Sequence, residues 1–327
     1  MDDDHGGDSA RPAGLPDDRH ALAPAWLSRA LAAVVADRPG PAAHVAGREL
    51  RPVGPGVGFV SQVQRLDLRW SGGDGPSSVV AKTPASEARN RALAVTLDMY
   101  GNEARFYRYL SAGTPLAVTC HHVEIDESGH DFVLLLEDMS AADMVDQVSG
   151  CPFGRATQLV TALADHHARF WDESGLDGAP WLRPLSDRRL TEVFAAAVAE
   201  NWPAVRGRFG DSLDARVVDL GDRLAHQVPR LTAALARPPR TLAHGDLRLD
   251  NVFFTSVGQV SACDWQLTDR SRGVRDLAYF VTQNLRTGDR RAWEAGLVDT
   301  YLARLAAQGV TGYERDEAWH DYRVALV

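Results

Sequence analysis

Residues 244–264 read HGDLRLDNVFFTSVGQVSACD. A His-x-Asp is followed by Asn251, then by two short apolar runs and a second acid, Asp264, ahead of Trp265. This set suits phosphoryl transfer from a nucleotide: one carboxylate takes a hydroxyl proton, while an Asn and a second carboxylate hold a divalent metal against the phosphates. Asp246 is expected as the base and Asn251 and Asp264 as the ligands of Mg2+ bound with ATP. Arg248, two residues past the base, is expected to contact the transferred phosphoryl group. Residues 252–254 and 260–263 predict a small hairpin turning at 256–259, which folds the second acid back beside the first loop.

Such a loop needs a nucleotide delivered to it. Val79, Val80 and Ala81 form an apolar strand ending in Lys82, placed either to pair with nucleotide phosphates or to stand in solvent. In the next segment Met99, Glu103, Phe106 and Leu110 recur at helical spacing, so Glu103 falls inside an apolar stripe. A buried unpaired carboxylate costs on the order of several kcal/mol, which makes Lys82 the economical partner; Arg105, Arg108 or a position at the stripe's edge are the alternatives. Residues 50–70 predict a hairpin with Gly54, Gly56 and Gly58 at its bend. Those glycines either let backbone amides approach phosphate or make a plain turn. Strands are expected at 121–125 and 132–136. The second ends in Glu137-Asp138-Met139, where two lobes would join and backbone groups of Glu137 and Met139 would bind the adenine edge.

The remainder reads as scaffold. Residues 23–35 predict a short amphipathic helix, 156–171 a strong one, and further helices are expected at 187–201, 212–236, 290–307 and from 313 onward. His166 and His167 are helix neighbours whose side chains point about 100° apart, so they are read as core histidines rather than as a metal pair. The first 22 residues are acidic and rich in Gly and Pro and are expected to be a disordered tail; 23–139 then form a nucleotide-binding lobe and 140–327 a catalytic and substrate-binding lobe. The last predicted helix reaches Val327 without a stop signal.

A net charge of −9 argues against a nucleic-acid partner and is compatible with cationic or neutral small molecules. No apolar run is long enough to enter a membrane and no leader segment is recognisable. Three cysteines, Cys120, Cys151 and Cys263, match no zinc or disulfide spacing, consistent with a reducing cytoplasm.

HGDLRLDN followed by CDWQ, with VVAK and YGNEARFY before it, resembles the aminoglycoside phosphotransferase and choline kinase-like small-molecule kinases, and most strongly the ecdysteroid-kinase-like branch. The resemblance extends from about Leu50 onward and includes LLLEDM, DQVSGC, LADHHARFW and GVRDLAYFV. It implies an α+β, bilobal protein-kinase-like fold, with a small antiparallel sheet plus one helix in the N-lobe and a mainly helical C-lobe. It further implies transfer of the ATP γ-phosphate to a small-molecule hydroxyl, with Lys82 and Glu103 positioning phosphate. Asp276 is implied as a buried carboxylate bonding the backbone around His244.

Departures from the protein kinases matter. Gly245 stands where an Arg would precede the base, Trp265-Gln266 replace Phe-Gly, and no Ala-Pro-Glu segment follows, which disfavours a protein substrate. Two alternatives remain at this level. One is an antibiotic kinase with an acid-lined pocket, for which Asp269 is a candidate; the other is a nucleotide-binding pseudokinase used as a regulatory module.

Overall fold

A computed structural model describes residues 14–16, 18, 21–36, 42–53 and 60–327. They form two compact units, one of the residues up to Ala104 with Thr119–Asp138, the other of Arg105–Val118 with Met139–Val327.

The first unit is built on a five-stranded antiparallel sheet in the order β1-β2-β3-β5-β4. Its strands are β1 (His44–Pro52), β2 (Ser61–Ser71), β3 (Ser78–Pro84), β4 (Cys120–Ile125) and β5 (Phe132–Glu137). β1 and β2 pair out to Pro52 and Gln64, so the predicted hairpin is present; Gly54, Gly56 and Gly58 at its bend lie outside the described residues. The predicted first helix divides into α1 (Pro24–Ala30) and α2 (Ala32–Val35). Trp26, Leu27 and Leu31 pack with Val79, Ala81, Val133 and Leu135 in one buried cluster. Strand alternation then dictates the rest: with Val79 and Ala81 committed to that cluster, Lys82 projects from the other face of β3. α3 (Ala88–Thr96), which the sequence does not announce, buries only Ala94. α4 (Met99–Tyr109) begins in this unit and ends in the second.

The second unit is mainly helical: α5 (Phe153–Arg169), α6 (Arg188–Phe209), α7 (Ala215–Leu235), α8 (Val274–Asn284), α9 (Thr287–Ala307) and α10 (Arg315–Ala325). α6 runs past the predicted end at 201 and through Pro203. The residues around that proline are exposed, so a carbonyl that loses its helix bond can be solvated. Two short ladders carry the loop of interest. β7 (Val252–Phe254) pairs with β8 (Val260–Ala262), as predicted. β6 (Thr241–Ala243) pairs with β9 (Asp269–Ser271), a strand too short to be legible in the sequence. Among the described residues no helix is long and apolar enough to cross a membrane.

Trp265 anchors the loop region from below. It is fully buried, stacks on Phe106 at 4.0 Å between ring centroids and donates from Nε1 to the Ala262 carbonyl at 3.0 Å. Truncation leaves a cavity that this close packing cannot refill, so Trp265→Ala is expected to lower unfolding free energy in urea by about 3–5 kcal/mol. A loss below about 1 kcal/mol would contradict the packing described.

Candidate functional site

In the first unit Lys82 and Glu103 are both buried. Lys82 Nζ lies 2.8 Å from Oε1 and 2.7 Å from Oε2 of Glu103. The carboxylate in the apolar stripe has therefore found the lysine at the end of β3. At the end of β5, Glu137 is exposed and its N–H donates to the Thr119 carbonyl at 2.8 Å. Asp138 accepts from Arg65 Nε and Ser78 Oγ, each at 2.6 Å, which ties the chain after β5 to the sheet. Met139 falls in the second unit, where its carbonyl accepts from the Ala142 N–H at 2.9 Å.

In the second unit His244 links the loop that carries Asp246 to the strand end that precedes Asp264. The His244 ring accepts from the Asp246 N–H through Nδ1 at 3.2 Å and donates from Nε2 to the Cys263 carbonyl at 2.9 Å. It thus bridges the backbones that carry the two acids. This bridge needs a neutral ring, and burial lowers the His244 pKa accordingly. The Cys263 N–H donates to the Asn251 carbonyl at 3.0 Å, so Asp264 follows directly from a strand end pinned to Asn251. Asp264 takes a left-handed backbone with φ 69°.

Asn251 donates from Nδ2 to the Asp246 carbonyl at 2.9 Å and toward Asp246 Oδ2 at 3.4 Å. With its nitrogen committed there, the side-chain oxygen is turned the other way and is suited to a hard cation. Among the described residues no group of three or more His, Cys, Asp or Glu side chains could hold a metal. The donor set nevertheless fits Mg2+ bound with a nucleotide, since that ion keeps water and phosphate oxygens and needs only one or two protein ligands. Arg248 Nε stands 3.6 Å from Asp246 Oδ2, with the side chain 41% exposed.

The loop is braced from α8. Asp276 is fully buried and accepts from the N–H groups of His244 and Gly245 at 2.6 and 3.0 Å and from His167 Nε2 at 3.3 Å. Burial opposes its charge, yet the His167 hydrogen bond and the Arg275 guanidinium hold it well below the usual carboxylate range. Gly245 has φ +87°, and a Cβ there would lie 2.2 Å from the Leu267 carbonyl oxygen; only glycine suits the position. Farther along α8, Asn284 Oδ1 accepts from the Leu249 N–H at 2.8 Å.

Two residues near the loop differ from or escape the sequence reading. Asp269 is no pocket acid: in β9 it is buried and paired with Arg275 at 2.6 Å, and burial pushes its carboxyl up to about 6. Tyr279, unmarked in the sequence, donates from its hydroxyl to Asp246 Oδ1 at 2.8 Å. The only available signal was its place one helical turn after Asp276.

Residues 173–309 match the model of the ecdysteroid kinase-like family, a span that contains the loop and its brace and leaves Lys82 outside. Comparison with curated proteins gives no match. Among solved structures, an aminoglycoside-3'-phosphotransferase of type VIII is 22% identical with TM-score 0.50, over 85% of this chain and 93% of its own. The GDP and kanamycin complex of APH(2")-IIia is 12% identical with TM-score 0.52, over 92% and 87%. An ethanolamine kinase of Plasmodium vivax is 10% identical with TM-score 0.51, over 97% and 81%. The chain has the protein-kinase-like fold of these enzymes. The segment match is to a kinase-like family over less than half of the chain, and the fold is one that small-molecule kinases also have.

Neutral buried histidines beside the loop make stability depend on pH. His166 donates from Nε2 to the Leu242 carbonyl at 2.8 Å, and burial, then its neighbour His167, lowers its pKa to about 3. The unfolded chain takes up that proton at about pH 6.5, so the stabilisation is complete above that value and is lost as pH falls toward the folded one. Urea titrations are expected to give about 2 kcal/mol less stability at pH 5 than at pH 7 from His166 alone. His166→Gln should flatten that slope. A pH-independent wild type over this range would contradict the buried neutral ring.

Proposed function

We propose that the chain transfers the γ-phosphate of ATP, with Mg2+, directly to a hydroxyl group of a small molecule. The observation that carries this reading is the loop in which the buried His244 ring bonds the backbones of Asp246 and Cys263, the residue before Asp264, while Asn251 bonds the same two residues and Asp276 fixes the loop's backbone. A binding module has no need of a carboxylate held in this way, which counts against the pseudokinase alternative. The antibiotic-kinase alternative loses its named pocket acid, because Asp269 is buried against Arg275.

In this reading the first unit binds nucleotide, and Lys82, held upright by Glu103, directs its charge to phosphate oxygens. Gly56 and Gly58 are proposed as backbone donors to the phosphates, and the segment at Glu137 and Met139 as the contact to the base. Asn251 and Asp264 would hold Mg2+, which when bound neutralises charge on the phosphates. Asp246 accepts the acceptor's hydroxyl proton as the new O–P bond forms and the bond to ADP breaks. Arg248 would offset the charge on the moving group. We place the reaction in the reducing, ATP-supplied cytoplasm, because the spacing of Cys120, Cys151 and Cys263 matches no disulfide framework.

Purified protein incubated with Mg-ATP and a panel of alcohols, sugars, sterols and aminoglycosides should yield one acceptor carrying an added phosphoryl group by mass spectrometry. Asp246→Ala is expected to lower that turnover by about 10²–10⁴-fold with folding intact, the usual share of a general base. Equal turnover in the variant would contradict the mechanism.

A further inference from the structure

Among the described residues only one oxygen of the Asp246 carboxylate has a firm partner. Oδ1 accepts the Tyr279 hydroxyl at 2.8 Å, whereas Oδ2 has Asn251 Nδ2 at 3.4 Å and Arg248 Nε at 3.6 Å. The first is a long, weak hydrogen bond and the second is an ion pair too long to be a hydrogen bond. Oδ2 is therefore the oxygen with capacity to take a proton.

The position of Tyr279 follows from the brace. α8 presents Asp276 to the backbone of His244 and Gly245, Tyr279 one turn later to the side chain of Asp246, and Asn284 beyond it to the backbone of Leu249. Three residues on one rigid helix thus address successive parts of the loop, and only Tyr279 reaches a side chain. Burial and the facing Asp246 carboxylate push the phenol well above its ordinary range, against the smaller opposite pull of Arg248 and Arg275. It stays a donor at any working pH.

We propose that Tyr279 is a positioning residue for the phosphoryl-transfer step: its hydroxyl fixes Asp246 through Oδ1, so that Oδ2, on the side of Arg248, receives the acceptor's proton. This rests on Asp246 acting as the base. Phenylalanine at 279 keeps the ring and the helix face and removes only the donor, leaving the carboxylate free to turn about its side-chain torsions. A base that is displaced or misoriented loses rate without losing nucleotide affinity.

The test is a double-mutant cycle on the full chain, reading Mg-ATP hydrolysis with water standing in for the acceptor. Water's oxygen bonds the γ-phosphorus, the bond to ADP breaks, and water's proton passes to Asp246 Oδ2. Tyr279→Phe is expected to lower kcat about tenfold, the effect of losing one hydrogen bond to a charged group, with KM for ATP and thermal midpoint unchanged. In an Asp246→Ala background the same change should have no further effect. If Asp246→Ala is slow while Tyr279→Phe keeps the wild-type rate, or if the two losses multiply, the positioning role is overturned and the base assignment stands. If Asp246→Ala hydrolyses ATP at the wild-type rate, the base assignment fails and this inference with it.

Discussion

A single buried carboxylate, Asp276, sets the geometry on which the rest of the second unit depends. Burying it without partners would cost several times what any one hydrogen bond returns. Here the two backbone N–H groups of His244 and Gly245 and the ring of His167 supply the partners, and those N–H groups are the start of the loop. Helices α5, α8 and α9 converge on the same point, since His167 of α5 bonds Tyr301 of α9 at 2.8 Å as well as Asp276 of α8. Fixing the loop's entry in this way sets the direction in which Asp246 leaves it, with Gly245 absorbing a backbone turn closed to other residues. Polar groups arranged before substrate arrives need no reorganisation during reaction, which is how such sites lower a barrier.

The buried pair in the first unit follows a different logic. A lysine and a glutamate sequestered together gain little net stability, because desolvation offsets much of their attraction. Their value is positional: Glu103 denies Lys82 other conformations and leaves its charge where strand β3 delivers it. Removing either partner would strand the other, whereas the phosphate-binding role we propose needs both.

The parts of this site that were legible in the sequence are those fixed by local chain geometry. Asp246, Asn251 and Asp264 lie within one loop and one hairpin, so their spacing alone brings them near one another. Glu103 stood out because a carboxylate in an apolar stripe demands a partner. Asp276 was reachable only through family resemblance, since its partners are backbone groups some thirty residues away. Asp269 was misread because β9 is three residues long and exists only by pairing with β6; that pairing turns Asp269 inward to Arg275. Tyr279 was missed for a related reason: a tyrosine on a mostly buried helix looks like core until the helix is docked against the loop. The run of α6 through Pro203 likewise depends on solvent exposure that composition does not reveal.

The central claim is that this braced loop passes a phosphoryl group directly from Mg-ATP to a hydroxyl, with Asp246 taking a proton and never bonding phosphorus. The stereochemical course at phosphorus tests it most directly, using ATP made chiral at the γ-phosphate with oxygen isotopes and the acceptor found by screening. One in-line displacement predicts inversion of configuration in the product. Retention would mean two displacements through a phosphorylated side chain and would contradict the account.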